Sequence, residues 1–258
     1  MIFVGALLCA IALADITRSQ LPGNAPKKRL AALLVGTITV ITIALIANLL
    51  TGADLLRLLL AALTMAAWVV TSDETMASRL PPAAPLSVLT IGAVLMLLLG
   101  GASNNGSGGI EQWLMFAGLA DRFSPDRVVL LVGLLLLQTS TANVVVRLVL
   151  THVGALKSTD SPQASDKLRG GRLLGPMERL IILGLGLAGE VTAASLVIAA
   201  KGLIRWPEIQ SSRSVADKPR GASDPGIDEV TEYFLVGSMV SWIFALASLA
   251  IVTLSAPL

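Results

Sequence analysis

Residues 171–201 read GRLLGPMERLIILGLGLAGEVTAASLVIAAK. Between Arg179 and Lys201 lies an apolar run, Leu180 to Ala200, of the length that crosses a bilayer, about 20 residues for ~30 Å of hydrocarbon. Glu190 stands near its middle. An ionisable group at that depth costs roughly 2.5–3.5 kcal/mol on insertion scales, so it demands a partner, a wet cavity or a proton. A membrane helix with a polar interior is therefore expected, with Glu190 as its informative member.

The composition agrees. Hydrophobic residues make up 54% of the 258 positions and charged residues 14%, with a mean hydropathy of +0.79. Soluble domains hold about 25% charged residues, so the chain lies on the membrane side. Its apolar residues fall in long uncharged blocks, the transmembrane signal rather than a core pattern. The net charge of +2 and the lack of a basic run with interleaved aromatics argue against nucleic acid. Cys9 is the single cysteine and His152 the single histidine. They exclude internal disulfides, cysteine metal sites and a Ser/His or Cys/His dyad beyond His152, so no cofactor is expected and nothing marks an enzyme.

The expected fold is all-α: a polytopic transmembrane bundle of about seven helices plus one short interfacial helix. Residues 1–150 hold five spans, Ile2 to Ile16, Leu30 to Leu50, Leu55 to Thr71, Leu86 to Gly100 and Arg127 to Leu150. The segment Ile110 to Leu119, with Trp113 and Phe116, is too short to cross and reads as interfacial. Residues 151–176 form a soluble loop. Residues 177–258 hold two more spans, Leu180 to Ala200 and Glu232 to Thr253, around a charged loop at 205–231. Ala12-Leu13-Ala14 before Asp15 looks like a cleavage site, but no basic residue precedes the apolar run, so a retained first helix is expected. Counting Lys and Arg in the loops places the N-terminus outside and the C-terminus inside.

Gly184, Gly186 and Gly189 spell G-x-G-x-x-G, but inside an apolar helix no phosphate reaches the amides, so they read as a smooth packing face. Arg179, Glu190 and Lys201 recur every eleven residues, which on a continuous helix puts them on one stripe, roughly 16 Å apart per step. The span 127–150 is the most polar, with Gln138, Asn143 and Arg147. Counted from the shared loop, Gln138 matches the depth of Glu190 and Arg147 that of Glu178. A Glu190–Gln138 hydrogen bond and an Arg147–Glu178 ion pair are the expected contacts. His152 and Asp73-Glu74 read as surface and solvated turn.

The run GRLLGPMERLIILGLGLAGEVTAASLVIAAKGLIRWPEI and the later EYFLVGSMVSW resemble an uncharacterised family of bacterial multi-pass inner-membrane proteins with a domain of unknown function. Gly171, Arg172, Gly175, Glu178, Arg179, Ala199, Ala200, Lys201, Arg205, Glu232, Tyr233 and Gly237 carry the likeness, over about the last third of the chain. Of the acid and Gln that close the family's first helix, Asp15 and Gln20 are the echo. The resemblance implies a bacterial cytoplasmic (inner) membrane and transfers no mechanism. It groups Glu178, Arg179, Lys201, Arg205, Glu232 and Tyr233 as a polar site, with Glu232 opposite Lys201 or Arg205. The leading functional expectation is binding or transport of a small or lipidic molecule through a polar interior around Glu190. The alternatives are a membrane anchor or sensor whose charged loops dock a protein partner, and then a membrane enzyme on lipid head groups. The bilayer itself is the first expected partner.

Overall fold

The computed structural model describes residues 1–99, 108–154, 171–214 and 227–255, and the side chains of all these except 171–173, 204–214 and 227–233. Among the described residues the chain is all-α, with no strand. Ten helices follow one another: α1 (Ile2–Gln20), α2 (Ala25–Ile46), α3 (Gly52–Met76), α4 (Ala83–Leu99), α5 (Gly109–Phe116), α6 (Pro125–Thr139), α7 (Thr141–Val153), α8 (Gly171–Leu187), α9 (Val191–Ser214) and α10 (Ile227–Leu254). Among the described residues four helices are long and apolar enough to cross a membrane: α1, α2, α3 and residues 234–254 of α10. The pair α6–α7, bent by 52°, makes a fifth if taken as one span. Several such helices are what an integral membrane protein requires.

Local chemistry sets the boundaries. Pro26 near the start of α2 and Pro125 at the start of α6 occupy positions where a missing N–H is harmless, and Ser124 caps α6 by accepting from the Arg127 amide. Four helices, α2, α3, α5 and α8, end in the same stop. The residue just past the cap is left-handed: Asn48 (φ 54°), Ser78 (φ 58°), Gly118 (φ 65°) and Gly189 (φ 82°). In each, the next amide bonds back five residues, as Leu49 to Ala44 O and Glu190 to Leu185 O do.

Two compact units result, Met1–Val144 with Ala250–Leu258, and Val145–Leu249. In the first, α1 is central and buried over most of its length, packed on α6, α2 and α3. Its direction relative to each neighbour can be read from pairs. Met1 meets Asp126, Gly5 meets Leu130, and Asp15 lies beside Thr141, so α1 and the α6–α7 pair run parallel. Phe3 lies under the Arg57 guanidinium and Trp68 reaches Asp15, so α3 is parallel to α1 too. Arg29 pairs with Glu74 while Gly36 faces Met65, so α2 runs the other way. Glycines permit the close crossings. A Cβ on Gly5 would lie 2.7 Å from the Leu130 nitrogen, and one on Gly92 would lie 2.1 Å from a Thr64 methyl carbon. The short helix α5 falls where an interfacial segment was expected, with Leu114 buried against the unit and Phe116 92% exposed.

The second unit departs from expectation. The stretch 180–200 is not one helix. Gly189 adopts the left-handed form that ends α8, Glu190 accepts the first α9 bond from the Ala194 amide, and the chain doubles back. Lys201 then reaches Glu178, which is possible only if α8 and α9 form an antiparallel hairpin closed at Gly189–Glu190. Ile182, Ala194 and Ala245 form the core between the hairpin and α10, with Leu185, Val197, Ile198 and Trp242 around them. Ser241 sits at the level of Arg179 and Leu249 at that of Gly186, so α10 runs parallel to α8.

Candidate functional site

The hairpin redistributes the residues read as a site. Glu190 is exposed at the turn, at the N-cap of α9, where a helix N-terminus favours an acid. It is not at the middle of a span. The eleven-residue stripe of Arg179, Glu190 and Lys201 dissolves with the continuous helix that it presupposed. Glu178 forms its ion pair with Lys201, while Arg147 is exposed. The Lys201 ammonium also stands 5.9 Å from the Trp242 ring centroid, a cation–π distance. Arg179 is 2% exposed and donates to the Ser241 hydroxyl at 2.9 Å. Three members of the expected group, Glu178, Arg179 and Lys201, are thus brought together near the open end of the hairpin. Glu190 and Gln138 belong to different units. The side chains of Arg205, Glu232 and Tyr233 lie outside the described residues.

The densest buried polar cluster among the described residues lies elsewhere, in the first unit. Asp15, 2% exposed, accepts from the Trp68 indole at 3.1 Å and from the Arg18 guanidinium. Arg18 also donates to the Ser72 hydroxyl at 2.9 Å, to Asp73 at 2.5 Å and to the Val69 carbonyl at 3.3 Å. The next ring of charges, Arg29 and Arg79 on Glu74, stands beside it. Asp73-Glu74, read from sequence as a solvated turn, is therefore the last turn of α3 and part of an ion-pair network.

The helix break at Ser140 borders the cluster. Gln138 is fully buried and donates to the Leu134 carbonyl, Thr139 to Leu136 and Asn143 to Thr139. These side chains take up carbonyls at the interruption, the usual way for a membrane helix to tolerate one. The hydroxyl of Thr141, fully buried, lies beside Asp15. The cluster thus combines an acid in a predominantly apolar helix, an indole donor and a discontinuous helix. That combination is how membrane proteins build polar binding sites, because irregular backbone at membrane depth needs protein or a cavity around it. No group of three or more His, Cys, Asp or Glu suited to a metal ion occurs among the described residues.

Sequence reasoning missed Asp15 as a site residue, although its position at the end of the first apolar block was visible. The further signal was the Trp68–Ser72–Asp73 spacing, which puts an indole, a hydroxyl and an acid within about a turn and a half of one helix. The chain matches no family model, no curated protein and no solved structure.

Proposed function

We propose that the chain is an integral protein of a bacterial cytoplasmic membrane that binds a small or lipidic molecule at a polar interior centred on Asp15, rather than around Glu190. One observation carries this reading. A carboxylate in an apolar helix is held by Trp68 and Arg18 next to the interruption between α6 and α7. Intramembrane acids are expensive and are retained where they act on a solute, an ion or a proton. The proposal includes membership in the family of bacterial inner-membrane proteins suggested by the motif residues at 171–237. In support, Glu178, Arg179 and Lys201 of that motif all pin the same hairpin.

Orientation belongs to the same proposal. At the Arg18 end of the first unit lie Arg18, Lys27, Lys28, Arg29 and Arg79, and at the Met1 end Arg57, Arg122 and Arg127. Basic residues favour the cytoplasmic side, so Met1 is placed outside.

The test is native mass spectrometry of the gently solubilised protein, wild type beside Asp15→Asn, Thr141→Val and Glu190→Gln. Thr141→Val leaves the Asp15–Arg18 pair intact, and its thermal unfolding beside wild type shows whether the fold is kept. A small molecule or lipid held by wild type and by Glu190→Gln, but weakened in Asp15→Asn and Thr141→Val, is the expected result. Loss in Glu190→Gln alone would return the site to the hairpin turn. A protein partner held equally by all four would replace ligand binding with docking.

A further inference from the structure

A second feature of the first unit is independent of the Asp15 cluster. At the Met1 end, a groove of ≈ 320 Å³ runs between α1, α2, α5 and α6. Cys9, Ile43, Ile46, Ile110, Trp113 and Val132 are among the side chains that line it. No charged residue is among the lining groups, and its volume falls at the low end of the ~300–1,000 Å³ typical of ligand sites. Water is a poor occupant, because a buried water needs two to four polar partners.

Its position names a better one. Ile46 and Val132 are each close to half exposed and continue into the outward apolar face of α2, where Leu34, Ile38, Ile41 and Leu45 are all more than half exposed. That face is the surface such a protein turns to lipid, so the groove is continuous with the bilayer contact. Along α1 it reaches Cys9, about 12 Å from Met1, within the ~15 Å half-thickness of the hydrocarbon. Above it α5 holds Leu114 inward and leaves Trp113, Met115 and Phe116 outward, the disposition of a helix at head-group level. At the same end Arg127, adjacent to the lining residue Val128, has a buried Nε with no hydrogen-bond partner. A phosphate is the anion that a lipid would offer it.

We propose that one acyl chain of a membrane phospholipid seats in this groove beneath α5, with its phosphate at the level of Arg127. The site draws lipid from the leaflet on the Met1 side and brings it against α1, a helix otherwise shielded by its neighbours.

The shielding supplies the test. The protein is reconstituted into vesicles of phosphatidylethanolamine and phosphatidylglycerol containing a phospholipid with a photoactivatable diazirine on its acyl chain, and the labelled peptides are mapped. The expected result is label on α1 around Cys9 as well as on the outer faces of α2 and α3. Val132→Trp, from a half-exposed position, and Ile43→Trp, from a partly buried one, fill the groove and reduce the α1 label about tenfold, a change of about 1.4 kcal/mol in occupancy. Leu45→Trp, outside the groove, leaves it unchanged. Label confined to α2 and α3, or α1 label indifferent to Val132→Trp and Ile43→Trp, overturns the proposal. So does a cross-link from Cys9 to a second copy of the chain instead of to lipid.

Discussion

Arg18 bonds two carboxylates and a hydroxyl at once, and the balance of charge around it is uneven. Removing Asp15 leaves the guanidinium with Asp73 and Ser72, whereas removing Arg18 leaves a buried acid without its counter-charge. Breaking a buried pair from one side typically costs ~3–5 kcal/mol, while replacing both partners is often close to neutral. Arg18→Met is therefore expected to destabilise the protein by about 3 kcal/mol or more, Asp15→Asn by clearly less, and the double variant to recover part of the loss. Unfolding of the three in a mild detergent, followed by tryptophan fluorescence, measures this. A mild effect of Arg18→Met, under ~1 kcal/mol as for an exposed pair, would mean that the cluster is solvated. Part of it was legible in the sequence, since Asp15 visibly closes the first apolar block. Its partner Trp68 lies 53 positions away, and nothing local announces that α1 and α3 run parallel in the register that joins them.

Among the elements, existence and type were readable because apolar blocks of this length have few other fates in a chain so short of charge. Continuity was not. Two of the seven expected spans are interrupted, at Ser140 and at Gly189. The second interruption rests on a glycine whose role is ambiguous in sequence: in G-x-G-x-x-G any of the three could serve packing, a kink or a stop. The structure separates them. A Cβ on Gly186 would lie 2.4 Å from a Leu249 methyl, so it packs against α10. Gly189 has φ +82°, and Gly184 has open space around it. Gly184→Ala is therefore expected to be neutral or to stabilise by up to ~1 kcal/mol through helix propensity. Gly189→Ala should lose about 1–2 kcal/mol, the strain of a left-handed alanine. Thermal unfolding of the two variants side by side decides it. Equal stabilisation by both would mean that Leu180 to Ala200 is continuous after all.

For the whole molecule, the hairpin changes a parity. The expected outside N-terminus and inside C-terminus count the stretch 180–200 as one crossing. A hairpin contributes an even number, whether its arms traverse the bilayer or turn back within it. The shorter apolar helix α4 leads from the Arg18 end, where α3 stops, back to the Met1 end, where α6 begins, and counts as a crossing although it is only 17 residues long. With it, α1–α4 and the α6–α7 pair supply five segments and α10 one more, so both termini are expected on the same side. Fusions of alkaline phosphatase and of a green fluorescent protein to each end measure this: with Met1 outside, both ends should support phosphatase activity and neither should fluoresce. Opposite behaviour at the two ends would restore an odd count and contradict the hairpin. The central position of α1 also bears on how the protein is made. The most enclosed helix of the first unit is made before the helices that enclose it, and Asp126, which meets Met1, follows 125 positions later. Through that interval Trp68 and Thr141 are absent or unplaced, and Arg18, three residues from Asp15 on the same turn, is the counter-charge already at hand. The newborn segment can thus enter the insertion machinery with its acid neutralised from within, and wait in lipid for the helices that will later surround it.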